Sequence, residues 1–378
     1  MVSVRSVHLG GVPGRQRAVP GPGPAGVAAG PGTRPGREEY HGVVGSDRKD
    51  ETRFLTDPDL EPAYRQLGRD ELDRRVAAAL ALLQDCRVCP RHCGVDRLAG
   101  ETHFCQTGRL ARVSGAAPHL GEEDPLRGSR GSGTLFLQHC NLGCVFCQNW
   151  DTSQRPGGQE MAAARIADLM IALQDRGCHN INFVSPTHVA PQLLEAIVAA
   201  MERGLRIPIV YNTGGYDEVS TLQLLDGIVD IYMPDFKLWA PASARQLLQA
   251  EDYPERARAA IAEMHRQVGV LRMDEEGLAR RGVLLRHLVM PGMAAETAAI
   301  MAWIAAELAP DTYVNLMAQY RPDNEVGQPG DQGEPKHASI HRRPSNVELA
   351  EAYRVAEAAG LWRFDERRDL HVLLHKLW

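Results

Sequence analysis

The chain has 378 residues, 42 Lys and Arg against 48 Asp and Glu, a formal net charge of -6 and 44% hydrophobic residues, ample for a buried core and for two or three domain-sized units. A mildly acidic total argues against nucleic acid or an anionic membrane as partner, because both demand clustered positive charge. No apolar run approaches the roughly 18 residues of a bilayer span, and the arginine-bearing N-terminus lacks the continuous apolar stretch of a secretory leader, so the expected compartment is the cytoplasm.

Eleven Gly and six Pro fall within residues 1–46. Such a segment cannot bury enough apolar surface to offset chain entropy, and a disordered extension is expected over 1–60. An Ala/Leu/Arg-rich stretch from about Glu61 to Leu83 has helical character and opens a Cys-rich N-terminal segment, 61–130. Cys86, Cys89, Cys93 and Cys105 follow, spaced C-x2-C-x3-C-x11-C. In a chain without a leader such thiols read as a metal or catalytic site and not as a disulfide framework. Four thiols close a site, His92 or His103 being able to replace one, and the spacing suits a structural zinc and a second iron-sulfur cluster about equally. His119, Glu122 and Glu123 come next and are expected in an exposed polar loop. Gly128 to Gly133 lacks the Gly-Lys-Ser/Thr ending of a phosphate loop and runs into a strand.

From Thr134 onward short apolar runs rich in β-branched residues recur at 135–137, 181–184, 207–211, 229–233, 283–289 and 313–317. Helical stretches lie between them: Ile166, Leu169, Met170 and Leu173 share one face, and Ile300, Trp303, Ile304 and Leu308 nearly do. Six strands alternating with helices imply an α/β fold with a parallel sheet and right-handed crossovers. Just past these strands stand Cys140; Ser185, Thr187 and His188; Asn212 and Thr213; Asp235 and Lys237; Pro291 and Gly292; Gln319 and Tyr320. Ligand groups collect at the carboxyl ends of parallel strands, and strands converging on one site favour a barrel or partial barrel, here 131–320. Arg321 to Pro344 is a polar connection of lid length within a last segment, 321–378, that ends in helix.

Cys140-Asn-Leu-Gly-Cys144-Val-Phe-Cys147 places three thiols within eight residues directly after a strand. A cubane iron-sulfur cluster normally takes four thiolates, so three leave one iron open to a small molecule. Gly143 allows the tight reversal that three ligands on one cluster require. The competing reading is zinc, with His139 or Cys178 as fourth ligand; otherwise Cys178 reads as a buried thiol.

The C-x3-C-x2-C spacing with an aromatic before the last Cys resembles the radical S-adenosylmethionine (SAM) superfamily. Residues 140–153, Cys-Asn-Leu-Gly-Cys-Val-Phe-Cys-Gln-Asn-Trp-Asp-Thr-Ser, are similar to the branch related to pyruvate formate-lyase activating enzymes. The likeness extends over about 83–361 and includes Cys86-x2-Cys-Pro-Arg-x-Cys93, Pro186-Thr-His188, Met233-Pro-Asp-Phe-Lys237 and Gln319-Tyr-Arg-Pro322. It implies a partial (β/α)6 TIM-like barrel and an iron-sulfur oxidoreductase. Cys140, Cys144 and Cys147 would hold a 4Fe-4S cluster on which SAM is reductively cleaved to a 5′-deoxyadenosyl radical for hydrogen abstraction. The resemblance puts Phe146 near the adenine and makes Ser185, Thr187, Asn212, Thr213, Asp235, Lys237 and Gln319 SAM-binding candidates. It also implies a reductant such as flavodoxin or ferredoxin and a glycyl-radical partner protein. Two departures stand out: Ser185-Pro-Thr-His188 replaces a Gly-Gly-Glu that receives the SAM amino group in relatives, and Gln319 replaces a His. An iron-sulfur electron carrier or redox sensor that never cleaves SAM is the alternative, and a zinc-stabilised scaffold is another.

Overall fold

The computed structural model describes residues 50–331 and 333–365. The chain divides into two units, Met1–Arg53 and Phe54–Trp378; everything below concerns the second. Of the extension expected to be disordered over 1–60, residues 1–49 lie outside the described residues. Residues 54–60 belong to the second unit, where Leu55 bridges to Met273 and the Thr56 N–H donates to the Met273 carbonyl at 2.9 Å. A strand edge far along the chain supplies that partner, which composition does not reveal. The helix expected from Glu61 begins at Arg69 and runs to Ala81, because Pro62 and the extended Gly68 set off Ala63–Gln66 as a separate 3-10 turn.

Ten strands form one sheet: β1 (Ala111–His119), β2 (Ser132–Leu137), β3 (Gln159–Met161), β4 (Ile181–Val184), β5 (Ile209–Thr213), β6 (Ile231–Pro234), β7 (Arg272–Met273), β8 (Ala279–Leu288), β9 (Tyr313–Met317) and β10 (Arg363–Phe364). Their order is β10-β9-β8-β6-β5-β4-β2-β1-β3, with β7 on the edge of β8. From β2 through β10 every pairing on that path is parallel. The six apolar runs of the sequence are β2, β4, β5, β6, β8 and β9, and the two ends of the sheet do not meet, as in a partial TIM-like barrel. β1 and β3 add an antiparallel edge. The sequence hid them, since β1 carries Arg112, Ser114 and Pro118 and β3 has three residues.

Strand alternation divides the apolar side chains between two clusters. Phe183, Tyr211, Val283 and Leu285 belong to the large core that the helices also enter. Val210, Met233, Leu284 and Tyr313 point to the opposite, inner face, where they meet Leu126. The helix Ala163–Asp175 buries Ile166, Met170 and Leu173, and Ala190–Met201 packs between it and Arg69–Ala81. Ala294–Trp303 continues into a π turn at Ile304–Leu308. Its wider turn explains why Leu308 stands eight residues after Ile300 instead of seven. No helix among the described residues is long and apolar enough to cross a membrane.

Candidate active site

After β2 the chain reverses at His139, whose φ is 68°, and enters the loop that carries three cysteines. The Gly143 and Val145 N–H groups donate to the carbonyls of Leu248 and Leu247, at 3.1 and 3.0 Å. The Asn141 amide donates to the Tyr216 carbonyl at 2.6 Å, and the amides of Gln154 and Asn324 converge on the Cys144 carbonyl at 2.9 and 3.1 Å. A Cβ on Gly143 would stand 2.6 Å from the end of the Gln249 side chain, which is exposed and free to swing aside, and Gly143 is not among the glycines with positive φ, so neither contact nor backbone requires glycine here. The Leu142 N–H donates to the Cys140 sulfur at 3.4 Å, and the Cys147 sulfur lies 3.2 Å from the Ser153 hydroxyl.

Burial pushes the Cys140 thiol up to about 11 and raises Cys144 further; Lys237 opposes the shift and the neighbouring thiols add to it. A bound metal favours the thiolate and so acts against this upward shift. Among the described residues no group of three or more ligating side chains is gathered tightly enough to hold a metal ion as it stands.

Asp235 and Lys237 follow β6. The Lys237 ammonium binds one Asp235 carboxylate oxygen. Burial disfavours that ammonium, but Asp235 and Cys144 outweigh burial and its pKa rises. The second oxygen, Oδ1, is buried with no hydrogen-bond partner. A buried acceptor of this kind is costly unless a ligand completes it.

The remaining candidates divide. Asn212 accepts from the Arg286 guanidinium at 3.3 Å on the inner face. Thr213, one residue on, points the other way: its hydroxyl donates to Asp217 at 2.6 Å and lies 2.9 Å from that of Thr187. Both hydroxyls are thereby spent in a buried network that Tyr211 completes through its own bond to Asp217. Ser185 takes φ 60° and its N–H donates to the Asn212 carbonyl at 2.9 Å. Phe146 is buried edge-on against Tyr320, ring centroids 6.2 Å apart. The Gln319 carbonyl accepts from Gln148 at 3.2 Å. The connection after β9 packs on the cysteine loop, with the Glu325 N–H on the Val145 carbonyl and the Trp150 indole on Asp323 at 3.1 Å.

One expectation is overturned. Glu122 and Glu123 are not in an exposed loop but are 8% and 0% exposed, both bound to Arg286 of β8. Asn315 of β9 donates to Glu123 at 2.6 Å. Burial pushes the Glu122 carboxyl up, and Arg286 pulls against it. The sequence signal was a single arginine inside the apolar run 283–289, which demands buried partners. The cysteines of the first cluster lie in the irregular chain between Ala81 and Ala111, Cys86, Cys89 and Cys105 buried and Cys93 partly so.

Residues 134–304 match the radical SAM superfamily. The chain is 31% identical over 300 residues to the uncharacterized protein MJ0674 of Methanocaldococcus jannaschii, covering 77% of this chain and 79% of that one. A second protein of that organism, MJ0808, is 27% identical over 157 residues, 37% of this chain and 46% of its own length. Among solved structures, the FeFe-hydrogenase maturase HydG from Carboxydothermus hydrogenoformans aligns with a TM-score of 0.43 at 12% identity, over 65% of this chain and 55% of that one. The chain belongs to the radical SAM superfamily. Membership implies a 4Fe-4S cluster, SAM, and cleavage of SAM to a radical. The donor set fits: three thiols on one loop, and a buried carboxylate oxygen beside them that lacks a partner.

Proposed function

We propose that Cys140, Cys144 and Cys147 hold the cluster and that this enzyme is an oxidoreductase of the activating-enzyme type. The observation that carries the first part is the Asp235–Lys237 pair held beside Cys144, with Asp235 Oδ1 unsatisfied. When bound, the cluster supplies one electron to SAM, whose carbon-sulfur bond breaks to give a 5′-deoxyadenosyl radical.

The chain's own residues do the positioning. Lys237 provides a positive charge for a carboxylate, and Asp235 Oδ1 an acceptor for an ammonium or a ribose hydroxyl. On this reading Phe146, packed on Tyr320, stands on the adenine side of the site. Asn212 and Ser185, at adjoining strand ends, and Gln319, two residues past β9, are on the same reading further SAM-binding residues. Thr187 and Thr213 act one step back: through Asp217 they fix the turn that carries Gly214 and Gly215, whose N–H donates to Thr213. Gly214 brings this turn against the cysteine loop, its Cβ position being 3.0 Å from Leu142.

Support for the activating-enzyme branch is the motif run from Cys140 to Ser153 together with Asp235-x-Lys237. On this reading a flavodoxin or ferredoxin is the reductant, a glycyl-radical protein the partner, and the cytoplasm the compartment. Anaerobic mixing of the reconstituted, reduced enzyme and SAM with a glycyl-radical protein from the same genome tests it. A doublet glycyl signal by electron paramagnetic resonance is expected. Abundant 5′-deoxyadenosine without that signal assigns a small-molecule substrate instead.

A further inference from the structure

Two strand-end turns meet at one hydroxyl. Gly214 and Gly215 follow β5, and Asp235 to Lys237 follow β6. Tyr253, the first residue of the helix Tyr253–Val268, is wholly buried and reaches both turns. Its oxygen accepts from the Lys237 N–H at 2.9 Å and lies 2.9 and 3.0 Å from the carbonyls of Asp235 and Gly214. A phenol has one proton to donate, so the two carbonyls share it. Both turns are held through their backbones, which leaves the side chains of Asp235 and Lys237 to meet a ligand.

The approach of the two turns is close. Gly215 has φ 80°, and a Cβ there would run into the Asp235 carbonyl; a Cβ on Gly214 would stand 3.6 Å from Lys237 Cε. The Tyr253 ring packs on that of Tyr216, centroids 6.1 Å apart, and the Tyr216 carbonyl is the one that takes the Asn141 amide of the cysteine loop. The loop that carries the triad and the turn that carries Asp235 and Lys237 therefore share Tyr253 as a support. Groups fixed in this way before the ligand arrives spare binding the cost of ordering them.

Resting on the reading that Asp235 and Lys237 bind SAM, we propose that Tyr253 is a positioning residue for that ligand: its hydroxyl sets the Asp235–Lys237 turn against Gly214 and the cysteine loop, so that Asp235 Oδ1 and the Lys237 ammonium meet SAM in one arrangement. Tyr253 acts through the backbone of those two residues and not by contact with SAM.

The test is equilibrium binding of SAM to the full chain, reconstituted anaerobically to equal iron content. Tyr253→Phe keeps the ring and is expected to weaken SAM about three- to tenfold, as the loss of a buried hydrogen bond would. Added to a chain that already carries Asp235→Asn and Lys237→Met, the same change is expected to alter affinity by less than about twofold, since the groups it positions are gone. Unchanged affinity in Tyr253→Phe overturns the proposal, and so does an equal loss in both backgrounds, which a general weakening of the fold would give. If Asp235→Asn with Lys237→Met binds SAM as wild type does, the reading of those two residues fails and takes the proposal with it, so the two failures are told apart. Should Tyr253→Phe not fold, hydrogen exchange of wild type decides: SAM is expected to slow exchange of the Lys237 N–H more than that of amides in the helix Asn346–Ala358, and equal slowing overturns the proposal.

Discussion

Arg286 of β8 and Glu123, 163 residues apart in the chain, are joined through the arginine Nε at 2.7 Å and again through its Nη2. Glu122 binds the same guanidinium, and Asn212 and Asn315 complete the network. Arg286 thus ties the loop ahead of β2 to β5, β8 and β9 on the inner face. Removing it takes the guanidinium away from two buried carboxylates. Arg286→Met is expected to lose roughly 3–5 kcal/mol of stability, whereas Glu122→Gln, which keeps one carboxylate on the arginine, stays within about 1 kcal/mol. Denaturant unfolding of the two variants decides this.

How much of this was open to sequence reasoning depends on the range of the contact. The six parallel strands were legible because strands buried on both faces are continuous apolar runs. The cysteine triad was legible because its signal spans eight residues. Glu122 and Glu123 were misread because what buries them is an arginine far along the chain, and no local pattern pairs the two. Asn212 and Thr213 were grouped together although strand alternation already sends neighbours to opposite faces. Arg91 showed only as one letter of the Cys-Pro-Arg-x-Cys motif and Gln249 gave no signal at all, since both act through contacts between distant loops.

Gly143 and Gln249 form a second testable pair. A methyl at 143 meets only the movable end of the exposed Gln249 side chain, so Gly143→Ala is expected to change iron loading of the triad by less than about twofold. Gly143→Ala combined with Gln249→Ala is expected to load as wild type does, and a severalfold loss in the single variant that the pair restores contradicts this. Iron and sulfide per chain, measured after identical reconstitution, read both.

Asp235→Asn keeps the shape of the side chain but removes the charge that meets Lys237. With iron content unchanged, SAM affinity is expected to fall about 10- to 100-fold, the loss of a charged hydrogen bond. Equilibrium binding of SAM to the loaded variant checks it. Unchanged affinity removes Asp235 from the site.

Asp230 gives a pH signature. Its carboxylate accepts from the N–H groups of Ala63 and Ile209, at 2.7 and 2.9 Å, yet burial pushes its pKa up to about 7. A carboxyl raised on folding stabilises the protein fully below its unfolded value and loses that contribution as pH rises through the folded one. The stability of wild type relative to Asp230→Asn should therefore decline between about pH 4 and 7. A difference in Tm that is flat over this range contradicts it.

SAM cleavage at a cluster held by Cys140, Cys144 and Cys147 is read directly by one assay. Protein purified and reconstituted anaerobically with iron and sulfide is reduced with dithionite, given SAM, and sampled for 5′-deoxyadenosine. Wild type is expected to form it and Cys144→Ala to form none. Cluster-loaded wild type that yields no 5′-deoxyadenosine, or Cys144→Ala that still produces it, contradicts the account.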